Sequence, residues 1–309
     1  MPRRNFFDGY EGTWYRNRMP KVSTQNDPLA IRRIKWDSIV AFAAMHVACL
    51  AGFFTFNWHA FWVFVTLQWL TGALGICLCY HRLLTHRSFE LWKPVEYLMA
   101  LFGCLAWQNG PIKWVAIHRL HHARSDQPND PHSPTRGFWW AHMGWLFAFD
   151  EELDDYERYR TYAPDLDKDP VYRFLNATHG LWQFILAILL YLWGGLPFVV
   201  WGVVIRTVFM WHATWLVNSA SHKWGYRIWA TGDQSTNNWW VALLTYGEGW
   251  HNNHHAFLRS AAHGLNWWEL DATYLTIRTL ATLRLAWNIQ LPSPQQRQRL
   301  ARAPAAVAA

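Results

Sequence analysis

Residues 60–86 read AFWVFVTLQWLTGALGICLCYHRLLTH. The apolar run from Ala60 to Cys79 ends at His81, and His86 follows five positions later. About 20 residues of helix rise about 30 Å, the thickness of a bilayer's hydrocarbon core. The stretch therefore reads as a membrane span that delivers imidazoles to the membrane edge. Working outward, a second run covers Ile39 to Trp58, with only Asn57-Trp58-His59 at the junction, so the two form a tight hairpin. Apolar character returns from Leu181 to Trp193, turns at Gly194-Gly195-Leu196-Pro197 and resumes from Phe198 to Val217. The expected fold class is all-α integral membrane. It has four transmembrane helices, at about 39–58, 60–80, 179–194 and 198–218, with a cytoplasmic helical cap.

The remaining segments complete this plan. Residues 1–36 form a polar N-terminal segment, 37–290 the folded domain, and 291–309 a tail expected to be disordered. Residues 94–112 are apolar but end in Gln108-Asn109-Gly110-Pro111, which reads as an interfacial or re-entrant helix. Residues 118–178 are polar and turn-rich, and 267–289 read as an amphipathic surface helix. The short loops 57–59 and 194–197 carry no Lys or Arg, whereas the N-terminal segment carries many. The positive-inside rule then puts both termini and all the histidine clusters on the cytoplasmic side.

Composition argues against a soluble domain. Hydrophobic residues make up 52% and charged residues 16%, below the usual quarter, and there are 24 tryptophans. Trp gathers at membrane interfaces because its ring is apolar and its N–H needs a partner. The net charge of +7 is spread over the termini and central loop without a recognition motif. It suits anionic lipid and not nucleic acid. Cys49, Cys77, Cys79 and Cys104 lie in or near apolar segments with no CxxC pair, so buried free thiols are expected. No short apolar core precedes a cleavage site, so no signal peptide is expected.

Three clusters hold eight of the 16 histidines: His81-Arg-Leu-Leu-Thr-His86, His118-Arg-Leu-His121-His122 and His251-Asn-Asn-His254-His255. A single histidine is usually a hydrogen-bonded core residue. Three clusters at span ends are better explained by metal, since neutral imidazole is a good ligand for iron, copper or zinc. On a helix His118 and His122 share a face, while His121 is rotated from His122 by about 100°. H-x-x-H-H thus offers a pair to one ion and a third ring to another, and His251, His254 and His255 repeat it. The spacing of His81 and His86 is not one α-helical face, so the helix is expected to end near His81. Eight ligands exceed the needs of one ion, and structural zinc takes four. Two irons with open positions fit better, without the Glu-x-x-His of carboxylate-rich di-iron bundles.

The run Gly75-Ile-Cys-Leu-Cys-Tyr-His81-Arg-Leu-Leu-Thr-His86-Arg-Ser-Phe89 resembles the first box of the membrane-bound Δ9 fatty-acyl desaturases. His118-Arg-Leu-His-His122, Asp130-Pro-His-Ser-Pro134, Trp215-Leu-Val-Asn218-Ser-Ala-Ser-His222 and Gly247-Glu-Gly-Trp-His-Asn-Asn-His-His255 resemble further boxes, over roughly 37–290. The resemblance implies two irons. One is held by His81, His86, His118, His122 and His255. The other is held by His121, His222, His251 and His254, with Asn218 through water. It places Gln108, Trp114 and Thr214 at the bend of an acyl tunnel, and Trp69 and Ala73 at its far end. Asp126, Asp130 and Glu248 are candidate acceptors for imidazole N–H groups. His132 and His142 are expected to hydrogen-bond near the site, and His46, His59, His179, His212 and His263 to be structural.

The activity implied is O2-dependent insertion of a cis double bond, at Δ9, into a saturated C16 or C18 acyl chain. Only a metal–oxygen oxidant attacks an unactivated alkane. The acyl chain is carried on a glycerolipid or on CoA. Residues 1–36 and 292–309 are too short for a haem or flavin domain, so electrons are expected from a separate ferredoxin or cytochrome b5. Two other readings share the metal. A di-iron hydroxylase of fatty acyl, alkane or sterol substrates would leave a hydroxyl. A non-catalytic metal carrier would place its ligands at mid-bilayer and not at span ends.

Overall fold

A chain inside a bilayer has no water to bond its backbone, so a spanning segment must satisfy its own N–H and C=O groups. The computed structural model, which describes residues 33–301, is accordingly mostly helical. Most of the N-terminal segment and the last eight positions of the tail lie outside the described residues. Three helical stretches are long and apolar enough to cross a membrane: Trp36–Thr55, Trp58–Thr85 and Pro170–His222. Large apolar side chains such as Phe53, Phe54, Ile188, Leu192 and Trp193 stand exposed on the first and third of them, as on a lipid-facing surface.

The first two stretches, α1 (Trp36–Thr55) and α2 (Trp58–Thr85), are separated by a sharp turn. Asn57 caps α2, its side-chain oxygen accepting the N–H of Ala60 at 2.9 Å. The helix does not end near His81, as the residue spacing suggested. From Trp69 to Thr85 it winds in wide turns, and the His86 N–H reaches the His81 carbonyl at 3.2 Å. An i→i+5 winding returns the chain to one face after about five residues. His81 and His86 therefore share a face, their ring centroids 4.8 Å apart.

Helix α3 (Lys93–Cys104) packs along the wide-wound half of α2. The two backbones cross at Gly75 and Gly103, where a Cβ on Gly75 would lie 2.5 Å from the Gly103 nitrogen. A turn at 105–110 leads into α4 (Pro111–Arg124), which starts with Pro at its first position. The core lies among these helices: Ile76, Leu83, Met99, Ile112 and Leu120 are buried, joined by Leu166 and Ile277 from later elements. Short helical turns between Pro134 and Asp167 cover one side.

The third apolar stretch spans 53 residues. As straight helix it would be about 80 Å long, far beyond the hydrocarbon thickness. It folds back instead. Gly194 and Gly195 leave helical backbone, Gly195 at φ +66°, a conformation that suits glycine. The limbs, α5 (170–193) and α6 (196–222), run antiparallel. Gln183 donates to Thr207 at 2.7 Å, and Leu190 sits over Gly202. Buried Arg206 ties three helices together, donating to the Gly202 carbonyl, to Thr71 of α2 and to Gln183 of α5. Helix α1 joins α6 through His46 and His212, whose Nε2 atoms lie 2.9 Å apart. His142 then bonds both His212 and Ser219 at 3.0 Å.

Four short helices follow: α7 (Trp239–Leu244), α8 (His251–Ala256), α9 (Ala272–Thr282) and α10 (Pro294–Leu300). The helix expected over 267–289 is shorter than its apolar pattern. Past α9 the chain forms an antiparallel pair between β1 (Glu90–Leu91) and β2 (Ala286–Trp287). The described part of the tail, expected to be disordered, is ordered. Ser293 and Gln296 form a reciprocal capping box at the start of α10, and the Ala230 N–H bonds the Leu300 carbonyl at 2.8 Å.

Candidate metal centre

Four chain segments deliver nine imidazoles to one region. The end of α2 supplies His81 and His86, and α4 supplies His118, His121 and His122. The turn ending α6 supplies His222, and α8 supplies His251, His254 and His255. Helix α8 has two faces. Its histidines point inward, while Asn252 and Asn253 anchor the outer side. Asn252 accepts the N–H groups of Ile228 and Trp229 at 3.0 and 2.9 Å. Asn253 accepts from Trp229 and Asn237 and donates to the His263 carbonyl and to Glu269.

The imidazoles fall into two groups whose candidate ligand atoms lie within 4.8 Å of one another. The first is His81, His86, His118, His122 and His254; the second is His121, His222, His251 and His255. This corrects the division implied by the resemblance, which exchanged His254 and His255. Consecutive residues on α8 diverge by about 100°. His254 turns to His81 and His122, while His255 turns to Asp233 and the end of α6. The groups adjoin, with the His122 and His255 rings 4.6 Å apart.

The geometry fits metal. Nε2 atoms face each other at 3.1 Å for His81 and His254, and at 3.0 Å for His254 and His122, His122 and His118, and His251 and His222. Nitrogens about 2.1 Å from one ion lie about 3.0 Å apart at right angles and about 3.4 Å apart at tetrahedral angles. Facing nitrogens at this spacing are close enough to share one ion. The Nε2 atoms of His121 and His255 are buried and lack a hydrogen-bond partner, as atoms awaiting a metal should.

Carboxylates hold the far sides of the rings. His81 Nδ1 lies 2.5 Å from Glu248, His121 Nδ1 2.9 Å from Asp130, His222 Nδ1 3.0 Å from Asp126 and His255 Nδ1 2.6 Å from Asp233. Such contacts fix which nitrogen carries the proton and aim the other at the ion. Asp126, Asp130 and Glu248 stand where the sequence suggested. Asp233 was not foreseen, because a lone Asp in a Gly-Asp-Gln turn looks like a turn residue. His263 was read as structural. It contacts Glu248 at 3.0 Å and stacks 4.4 Å from His254. Glu248 also takes a forked pair of bonds from buried Arg82, which reaches Asp271 at 2.8 Å.

Burial, reinforced by neighbouring imidazoles, holds His86, His118, His122, His251 and His254 well below the usual histidine pKa. These rings are neutral near pH 7, the form that binds metal. His121 goes the other way: burial opposes its charge, but Asp130 raises its pKa. Burial raises Asp130, but His121 and His132 outweigh it and bring the carboxyl to about 2. His132, buried beside His121, falls to about 3.

A cavity of about 530 Å³ leads to the first group. Gln108, Trp114, Thr214, Asn218 and His118 line it, beside Phe42 and Met45 of α1. Gln108 donates to Thr214 at 2.9 Å and accepts from Trp114 Nε1 at 3.4 Å, so these three implied substrate residues meet. Trp114 stacks on His118 with ring centroids 5.1 Å apart. Trp69 and Ala73 do not line this cavity. Trp69 stands edge-on to Tyr246 at 5.3 Å, and Ala73 is buried in α2. Asn218 lines the cavity one helical turn before His222.

Comparison with known proteins identifies the family. The family profile described as fatty acid desaturase matches residues 56–291. The sn-1 stearoyl-lipid 9-desaturase of Anabaena variabilis is 49% identical over 277 residues, 89% of this chain and 99% of that one. The sn-2 palmitoyl-lipid 9-desaturase of a Nostoc species is 48% identical over 264 residues, 85% of this chain and 93% of that one. The acyl-CoA 5-desaturase of Anemone leveillei is 48% identical over 262 residues, 85% of this chain and 81% of that one. Matching histidine boxes, a helical membrane scaffold and these relatives together establish that the chain belongs to the fatty acid desaturase family, a family of oxidoreductases.

Proposed function

We propose that the protein inserts a cis double bond at Δ9 of a saturated C16 or C18 acyl chain carried on a glycerolipid or on CoA. It uses O2, an iron pair held by the two histidine groups, and two electrons from a separate ferredoxin or cytochrome b5. The observation that carries this reading is the convergence of nine imidazoles, seven of them on buried residues, in two adjoining groups at the end of a cavity. Two relatives at 48–49% identity are named 9-desaturases of stearoyl or palmitoyl lipids, and another at 48% is named an acyl-CoA 5-desaturase.

Bound iron would supply the O2-derived oxidant that an alkane requires. The chain's own residues do the rest. His81, His86, His118, His122 and His254 hold one ion; His121, His222, His251 and His255 hold the other, with Asn218 through water. Glu248, Asp126, Asp130 and Asp233 fix the imidazole tautomers. Gln108, Trp114 and Thr214 set the bend of the acyl chain against the first group; Trp69 and Ala73, which lie outside the described cavity, would limit chain length only where the acyl path continues past it along α2. Phe42, Met45, Trp107 and Trp114 give the cavity an apolar side against which an acyl chain can lie.

The fold-back at Gly194–Gly195 supports four membrane crossings by α1, α2, α5 and α6. Both hairpin turns lack Lys and Arg, which supports a cytoplasmic location for the metal centre and both termini. Expression in a host that makes no Δ9-unsaturated lipid, followed by gas chromatography with mass spectrometry, tests the reading. Monounsaturated C16 or C18 chains are expected. Hydroxylated chains instead would replace desaturation with hydroxylation, and an unchanged profile would reject enzymatic oxidation of acyl chains.

A further inference from the structure

A single surface loop lies over the second histidine group. Residues 226–237 begin and end on an antiparallel bridge between Tyr226 and Asn237. Arg227 shapes the loop by donating to the Thr231 carbonyl at 3.2 Å and to its hydroxyl at 2.7 Å. At the tip Gly232 and Gln234 are exposed. Asp233, between them, contacts His255 Nδ1 at 2.6 Å. The Gln234 N–H donates to Asp126, whose other oxygen lies 3.0 Å from His222 Nδ1. Two rings of the second group are thus joined to exposed backbone through one carboxylate each. The cavity that leads to the first group runs past Gln108, Trp114 and Thr214, and no residue of the loop lines it.

Cationic side chains flank the loop. Lys223 is exposed one residue after His222, its amine 6.0 and 5.5 Å from the ring centroids of Phe138 and Trp224. Helix α10 is tied to the loop by the bond from the Ala230 N–H to the Leu300 carbonyl and by a bridge between Trp229 and Ala301. It carries Arg297 and Arg299, and residues 286–309 contain no Asp or Glu. Among the described residues no carboxylate pairs with Lys223, Arg297 or Arg299. Electrons tunnel between proteins more readily through covalent and hydrogen-bonded links than through open space. Opposite surface charge speeds the encounter of two proteins and fixes how they meet.

We propose that loop 226–237 is the port through which electrons enter, and that Lys223, Arg297 and Arg299 dock an acidic one-electron carrier protein over it. The carrier then feeds the second histidine group, while the first group faces the acyl chain. Each encounter passes one electron from the carrier to iron, and no bond forms or breaks. This rests on the reading of the two groups as an iron pair.

The test mixes full-length, iron-loaded protein with reduced plant-type ferredoxin, an acidic carrier, in an anaerobic stopped-flow instrument. Arg297→Glu/Arg299→Glu should slow second-order reduction about tenfold or more at about 0.02 M salt, and less than about twofold at about 0.5 M, where surface charge is screened. Its iron content and its limiting rate at saturating ferredoxin should match the wild type. Lys168→Glu/Arg173→Glu makes the same change of charge away from the loop and should stay within about twofold of the wild-type rate. Carbodiimide, which joins a lysine amine directly to a carboxylate, should couple ferredoxin to wild-type protein at Lys223. Coupling at Lys93 or Lys168 in its place, an unslowed Arg297→Glu/Arg299→Glu variant, or equal slowing by both double variants would overturn the inference and leave the desaturase reading standing. Coupling at Lys223 with salt-dependent slowing, in protein that leaves acyl chains unchanged, would sustain the docking face and sink the desaturase reading. Protein that binds no iron pair would overturn both.

Discussion

His254 and His255 are adjacent in the chain yet belong to different histidine groups, each of which could hold an ion. Their substitutions should therefore separate. His254→Ala should remove iron from the first group and His255→Ala from the second. Each should lower iron from two to about one per chain and cut desaturation more than about 100-fold, since even groups behind the ligands change metal affinity 10–100-fold. Iron analysis with Mössbauer spectra checks this; identical spectra for the two variants would refute the division. At the far end of the proposed tunnel, Trp69→Ala should extend product chains by two or more carbons, read by chromatography of the lipids. An unchanged chain-length profile would remove Trp69 from the substrate path. Protonation gives a further expectation. His86, His118, His122, His251 and His254 titrate below their ordinary value, so in metal-free protein the unfolded state takes up protons on them first. Stability is then full above about pH 6.5 and falls by up to about 1.4 kcal/mol per such ring for each unit of acidification below it. Thermal melts of the apo-protein at pH 7 and pH 5.5 should show the loss. The ligand-type residues were legible because their spacing repeats; Asp233 and His263 were not, because each stands alone in the chain.

The elements were legible in kind and less so in extent. Apolar runs marked α1, α2 and the two limbs after Pro170, and the Gly-Gly-Leu-Pro break marked the fold-back. The ends differed. Hydropathy falls at His81, but the backbone still needs partners, and α2 continues to Thr85 in wide turns. That winding was invisible to a 3.6-residue reading, so His81 and His86 were expected on either side of a bend. Tail residues 294–300 looked too polar to pack, yet Ser293 and Gln296 cap a helix there. The α2–α3 crossing gives the sharpest test at this scale. With the Gly75 Cβ position 2.5 Å from the Gly103 backbone, Gly75→Val must push the helices apart. A loss of about 1–3 kcal/mol is expected, as for overpacked cores. Unfolding in detergent measures it, and an unaltered midpoint would show that the crossing yields freely.

At the scale of the whole molecule, the parts explain one another. The long apolar helices bring histidines to one end, where α4, α8 and the aspartates beside them complete the two groups. The cavity beside α1 reaches the first group past Gln108, Trp114 and Thr214. Composition and span lengths revealed the membrane character, and the boxes revealed the family. The cavity's shape was not legible, because it depends on contacts between residues more than 100 positions apart, such as Gln108 with Thr214. An acyl chain bent past Gln108, Trp114 and Thr214 toward the histidine groups should lose one hydrogen from each of two neighbouring carbons. The direct measurement supplies purified, iron-loaded protein with O2, a reductant and a saturated acyl lipid fully deuterated at carbons 9 and 10. Mass spectrometry of the product should show a Δ9 double bond with one deuterium lost from each of those carbons. A hydroxylated product, or a chain that keeps all its deuterium, would contradict the account.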